Sequence, residues 1–141
     1  MSKIKYDDIV YFEGSRILII WALTPKDSMP AKEFLDEMVP PDWGKLDRIL
    51  KRLGDYGQIR NKQQFRSVGG SLFEVKGGVR RLVGYFIPGH FVLTHGFSKR
   101  GGGKSANKFP PKERKRALKI KQDFEPLFRN MRKERNHGRK K

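Results

Sequence analysis

The chain has 141 residues and a formal net charge of +17, with 36% hydrophobic and 33% charged residues, enough for a single core but with little apolar surplus. It holds no cysteine, which excludes a disulfide framework and cysteine-ligated zinc and fits a reducing cytoplasm. The longest apolar stretch, residues 17–23, is strand-sized and far short of a bilayer span, so a soluble protein without a membrane partner is expected.

The charge is unevenly placed. Residues 1–57 carry 9 Lys and Arg against 10 Asp and Glu, whereas residues 58–141 carry 23 against 5. So large an excess in one half favours a polyanionic partner through counterion release, and phosphate is the commonest biological polyanion.

In chain order, residues 4–14 mix Tyr6, Ile9, Val10, Tyr11 and Phe12 with acids and suit a first strand. Residues 16–24, β-branched and aromatic up to Pro25, predict a second. Ser28, Met29 and Pro30 read as a helix start, with Phe34, Leu35, Met38 and Val39 at helical spacing and Pro40-Pro41 as its stop. Asp42 is placed to cap a second helix whose stripe is Leu46, Ile49, Leu50 and Leu53, ended by Gly54 and Gly57. The two helices form a hairpin whose apolar stripes need a sheet. Residues 58–70, polar and basic, predict a connecting loop.

Residues 72–97 then read as a three-stranded antiparallel meander, turning at Gly77-Gly78 and at Pro88-Gly89. A glycine-rich basic loop follows over residues 98–108. The last helix starts near Lys112 with Ala117, Ile120, Phe124, Leu127, Phe128 and Met131 in period, and Pro126 should kink or restart it. Residues 132–141 have no apolar side chain and are expected to fray. The organisation is an N-terminal extension over residues 1–15, a compact domain over 16–128 and a basic tail over 129–141.

Two-residue turns would set Glu74 opposite Arg81 and Arg81 opposite Gly96. Alternation then sends Glu74, Lys76, Arg81, Val83, Tyr85, Val92, Thr94 and Gly96 to one face. Phe73, Val75, Leu82, Phe86, Phe91, Leu93, His95 and Phe97, with Arg80, take the core face. Arg81 is the central candidate, either as a cross-strand partner of Glu74 or as a phosphate ligand held in place by that pairing, with space left by Gly96. Tyr85 could cover the sheet or stack on a base. His95 falls among aromatic and aliphatic neighbours and reads as a core histidine rather than a general base. Gly101-Gly102-Gly103-Lys104-Ser105 lacks the glycine spacing of a nucleoside-triphosphate loop and reads as a basic lid. The pattern offers no metal-ligand spacing, so no cofactor is expected.

The order strand, two helices, meander, C-terminal helix resembles the RelE/ParE toxin superfamily, most closely its phage-derived, HigB-like branch. The resemblance rests on Leu72-Phe73-Glu74-Val75-Lys76, Arg81-Leu82-Val83-Gly84-Tyr85-Phe86, Leu93-Thr94-His95-Gly96-Phe97-Ser98-Lys99-Arg100, and Pro110-Pro111 with Glu113 and Ala117. It implies an α+β, RelE-like fold: a small twisted, antiparallel-rich sheet packed by an N-terminal helical hairpin, with a C-terminal helix. It implies a toxin of a type II toxin–antitoxin pair, cleaving messenger RNA without metal, on the ribosome, in the cytoplasm, and held by a cognate antitoxin. By motif position the catalytic candidates are Arg81, Lys76, Lys99 and Arg100, and the RNA-binding candidates are Arg80, Tyr85, Lys104, Lys108 and Lys112. The chain departs from some relatives in having Glu74 at a basic position, Gly84 at an aromatic one, and no tyrosine opening the last helix. The gyrase-poisoning branch shares the fold without the nuclease chemistry, so a non-catalytic nucleic-acid-binding protein or a toxin that blocks a protein target is the alternative.

Overall fold

A computed structural model describes residues 4–99 and 108–139. A 3-10 turn (Tyr6–Ile9) leads into β1 (Val10–Glu13) and β2 (Leu18–Trp21). Helices α1 (Pro30–Asp36) and α2 (Pro40–Tyr56) follow, then β3 (Phe65–Gly69), β4 (Leu72–Gly77), β5 (Arg80–Ile87), β6 (His90–Ser98) and α3 (Pro111–Arg139). The strands form one mixed sheet in the order β1-β2-β6-β5-β4-β3, antiparallel except where β2 runs parallel to β6. The protein is α+β. Among the described residues no helix is long and apolar enough to cross a membrane.

The hairpin α1–α2 covers one face of the sheet. Pro40 and Pro41, expected to stop α1, instead open α2 with Val39 as its N-cap, because the first turn of a helix has no use for their missing N–H groups. Asp42 is therefore a first-turn acid near the positive end of the helix dipole, not the cap. Leu46, Ile49, Leu50 and Leu53 are all buried, as their spacing requires. Two strand glycines admit this layer closely: a Cβ on Gly77 would come within 2.8 Å of Leu46, and one on Gly96 within 2.1 Å of the Phe34 ring.

Helix α3 covers part of the other face and runs on through Pro126 to Arg139. Pro126 and Gln122, whose carbonyl the proline leaves without an N–H partner, are both exposed, so water meets that carbonyl and the helix need not stop. Residues 132–139 of the tail expected to fray are helical instead. Met131 is buried, and the Arg135 guanidinium lies 4.5 Å from the centre of the Tyr6 ring. Ahead of β2, Ile9 is fully buried and β1 is an edge strand of the sheet. Tyr6 reaches His90 at 2.7 Å. The Nδ1 of His90 lies 2.9 Å from the Pro88 carbonyl, which only accepts, so Nδ1 carries the proton and Nε2 accepts from the Tyr6 hydroxyl.

Strand β3 replaces part of the expected loop. It is an edge strand with Phe65 buried and Ser67 exposed, and so polar a segment gives little period-two signal. Leu50 has no exposed surface. Leu50→Ala should therefore cost ~2 to 5 kcal/mol of unfolding free energy in a denaturant titration, and a loss under about 1 kcal/mol would mean that α2 is not docked by this stripe.

Candidate functional site

Two irregularities in the meander decide which side chains meet. The first hairpin closes on the pair Gly77↔Arg80, so Gly78 (φ 66°) and Val79 form the loop and Lys76, not Glu74, faces Arg81. Gly78 supplies the positive φ that the turn needs. Gly77 stays in the strand beneath Leu46. The second irregularity is a bulge: Gly84 pairs with Leu93 but Val83 pairs with His95, leaving Thr94 as the extra residue. The Thr94 hydroxyl donates to the Val83 carbonyl at 3.1 Å.

The bulge reverses the facing of everything beyond it. His95 and Phe97 join Val83 and Arg81, while Gly96 pairs with Leu82 and turns to the helical hairpin. Gly96 therefore makes room for Phe34, and the expected space for a phosphate opposite Arg81 is not there. Gly84 is needed at the bulge itself, because a Cβ would come within 2.5 Å of the Val92 carbonyl oxygen and 2.6 Å of the Phe91 ring.

On the face left open beside α3, Glu74 is fully buried and accepts from Arg66 Nε at 2.9 Å and, more loosely, from Arg81 Nη1 at 3.5 Å. Both contacts go to Oε1. Its Oε2 and the Nε of Arg81 are buried without a hydrogen-bond partner. Lys76 and Lys99 complete the cluster, each close enough to be influenced by Glu74, Arg66 and Arg81. Burial holds both lysines below the ordinary ammonium range; for Lys76, Arg66 and Arg81 add to the depression, and for Lys99 so do Arg81, Arg66 and Lys76, while Glu74 opposes it in both. Burial lowers Arg81 as well, with Arg66 acting in the same sense and Glu74 against it. One carboxylate thus stands among four cations, and the excess positive charge, with the unsatisfied Nε–H donor of Arg81, suits an incoming anion. Among the described residues no group of three or more His, Cys, Asp or Glu is placed to hold a metal ion.

Of the residues expected to act, Arg81, Lys76 and Lys99 are brought together. Arg100 and Lys104 lie outside the described residues, as does most of the glycine-rich loop. Arg80 points to the other face, where it pairs with Asp42 at 3.6 Å and donates to Ser98 at 2.6 Å. Tyr85 is buried beneath Lys121 of α3, 4.9 Å from ring centre to ammonium, so it covers the sheet and offers no stacking surface. Lys108 and Lys112 are exposed at the start of α3. Arg66 was hidden from sequence reasoning inside the presumed loop, and only recognition of β3 opposite Glu74 would have found it. Arg114, also unforeseen, ties the start of α3 to the β3–β4 turn through the carbonyls of Val68 and Gly69.

His95 is a core histidine, but under α3 instead of under the hairpin. It has no exposed surface, and its Nε2 lies 3.0 Å from a Glu113 carboxylate oxygen. Burial, assisted by Arg116, pushes its pKa down to about 3. The neutral ring donates Nε2–H to Glu113 and turns Nδ1 to Thr94.

Comparison of the sequence with protein-family models and with curated proteins finds no match.

A folded-state pKa below the ordinary 6.5 means that the stabilising influence of neutral His95 is complete above pH 6.5 and is lost as pH falls towards 3. Wild-type stability should fall more steeply than that of His95→Gln between pH 6.5 and 4, as measured by urea midpoints. Parallel profiles would mean that His95 titrates normally.

Proposed function

We propose that this chain is a RelE-like toxin of a type II toxin–antitoxin pair, acting as a metal-independent endoribonuclease on ribosome-bound messenger RNA. The observation that carries this reading is the group of four cations around buried Glu74, held on a rigid sheet beside an open face. In the proposed reaction the ribose 2′-hydroxyl gives its proton to solvent water as its oxygen bonds to the adjacent phosphorus, and the P–O5′ bond breaks, giving a 2′,3′-cyclic phosphate and a 5′-hydroxyl. Arg81 and Lys76 stabilise the negative charge that grows on the phosphoryl oxygens. Lys99 serves the leaving oxygen, and its depressed pKa brings proton transfer nearer to neutral pH. The order of α+β elements and the meander motifs support the family reading, and the antitoxin is the expected protein partner.

Arg81, the second residue of β5, makes no strong bond to Glu74, since that contact is 3.5 Å long. Arg81→Ala should therefore lower cleavage of ribosome-bound message by ~10² to 10³, the scale of one lost oxyanion donor, with a modest effect on melting. Arg81→Lys should also be impaired, because it keeps the charge and loses the planar fork. Antitoxin-free wild type that leaves message intact, or folded Arg81→Ala that cuts at the normal rate, would sink the nuclease reading in favour of a non-catalytic nucleic-acid-binding module.

A further inference from the structure

At the β3 edge of the sheet, between the segment leaving α2 and strands β3 to β5, lies a groove of about 870 Å³. Its floor is aromatic: Phe65 and Phe73 stack at 5.0 Å with 6° between planes, and Phe86 meets Phe73 edge-on at 5.1 Å. Phe86 is 38% exposed, although the strand residues before it, Leu82 to Tyr85, are buried. Arg60, Lys62, Arg66 and Lys76 also line the groove, and no acidic residue does among those described. Arg66 and Lys76 line the groove and also belong to the Glu74 cluster; the register sets the three rings and that cluster on opposite faces, so groove and cluster meet round the β3 edge of the sheet.

We propose that this groove binds single-stranded nucleic acid, with one unpaired base stacked on the Phe86–Phe73 pair and flanking phosphates held by Arg60 and Lys62. The inference deepens the RNA reading by naming where the strand leaves the reacting phosphate. An acidic peptide would satisfy the cations but offer the exposed Phe86 ring no flat partner, whereas a base does both in one nucleotide repeat. A duplex keeps its bases stacked internally and has no free face to offer.

The test is fluorescence anisotropy with a labelled single-stranded DNA oligonucleotide, which lacks the 2′-hydroxyl and cannot be cut by the proposed reaction. Phe86→Ala should weaken its binding roughly tenfold or more, the scale of one stacked base. Phe86→Tyr should bind nearly as wild type, and melting curves should confirm that both variants are folded. An abasic oligonucleotide should bind wild type and Phe86→Ala equally weakly. The proposal is overturned if Phe86→Ala binds like wild type, if the abasic strand or a duplex binds as tightly as the intact single strand, or if polyglutamate competes as well as the oligonucleotide. The two readings fail separately: base-dependent DNA binding without message cleavage removes the nuclease and leaves the groove, while message cleavage with unchanged Phe86→Ala binding removes the groove alone.

Discussion

A single buried carboxylate organises the working side of this protein. Glu74 has no exposed surface, and an ionised group in that position is tolerated only with cationic partners close by. Arg66 on β3 and Arg81 on β5 supply them from the two strands that flank β4. The carboxylate in turn offsets the mutual repulsion of the four cations that share this region. One negative charge cannot neutralise four, and three of the four cations, Arg66, Lys76 and Arg81, stand on strands of the sheet.

The second constraint is the bulge at Thr94. An uninterrupted β5–β6 ladder would place His95 and Phe97 beneath the helical hairpin and leave Gly96 beside Arg81. One extra residue sends His95 to α3, where Glu113 receives it, and gives Gly96 to the Phe34 ring. The bulge thereby lets two different helical layers use one strand. The hairpin takes Leu93 and Gly96, α3 takes His95, and the part of the sheet bearing Lys76 and Arg81 stays outside both.

Much of this was legible in the sequence because it depends on local periodicity. The stripe of α2, the three meander strands, the Pro88-Gly89 turn and the grouping of Lys76 with Arg81 all follow from spacing and turn chemistry. What escaped depends on relations that spacing does not encode. Two adjacent glycines at 77 and 78 admit two hairpin registers, and only the fit of Leu46 over Gly77 selects one. A bulge leaves no mark in hydrophobic alternation when the residues beyond it, His95 and Phe97, suit either layer. Edge strand β3 was unreadable because a strand with one solvated face and one free edge needs little apolar content, and with it went Arg66. Pro40-Pro41 punctuates a helix start as readily as a stop, and only the chain beyond distinguishes them.

The claim that Glu74 holds together an anion-seeking group of cations is tested most directly by Glu74→Gln, melted in chloride and in sulfate at equal ionic strength. Glutamine keeps the shape and removes the charge, so the four cations lose the counter-charge of Glu74. The account predicts a large loss of stability in chloride, on the order of 3 to 5 kcal/mol for breaking a buried pair, and a sulfate-specific recovery greater than any shift in wild type. A Glu74→Gln protein as stable as wild type in chloride, or one that gains no more from sulfate than wild type does, would contradict it.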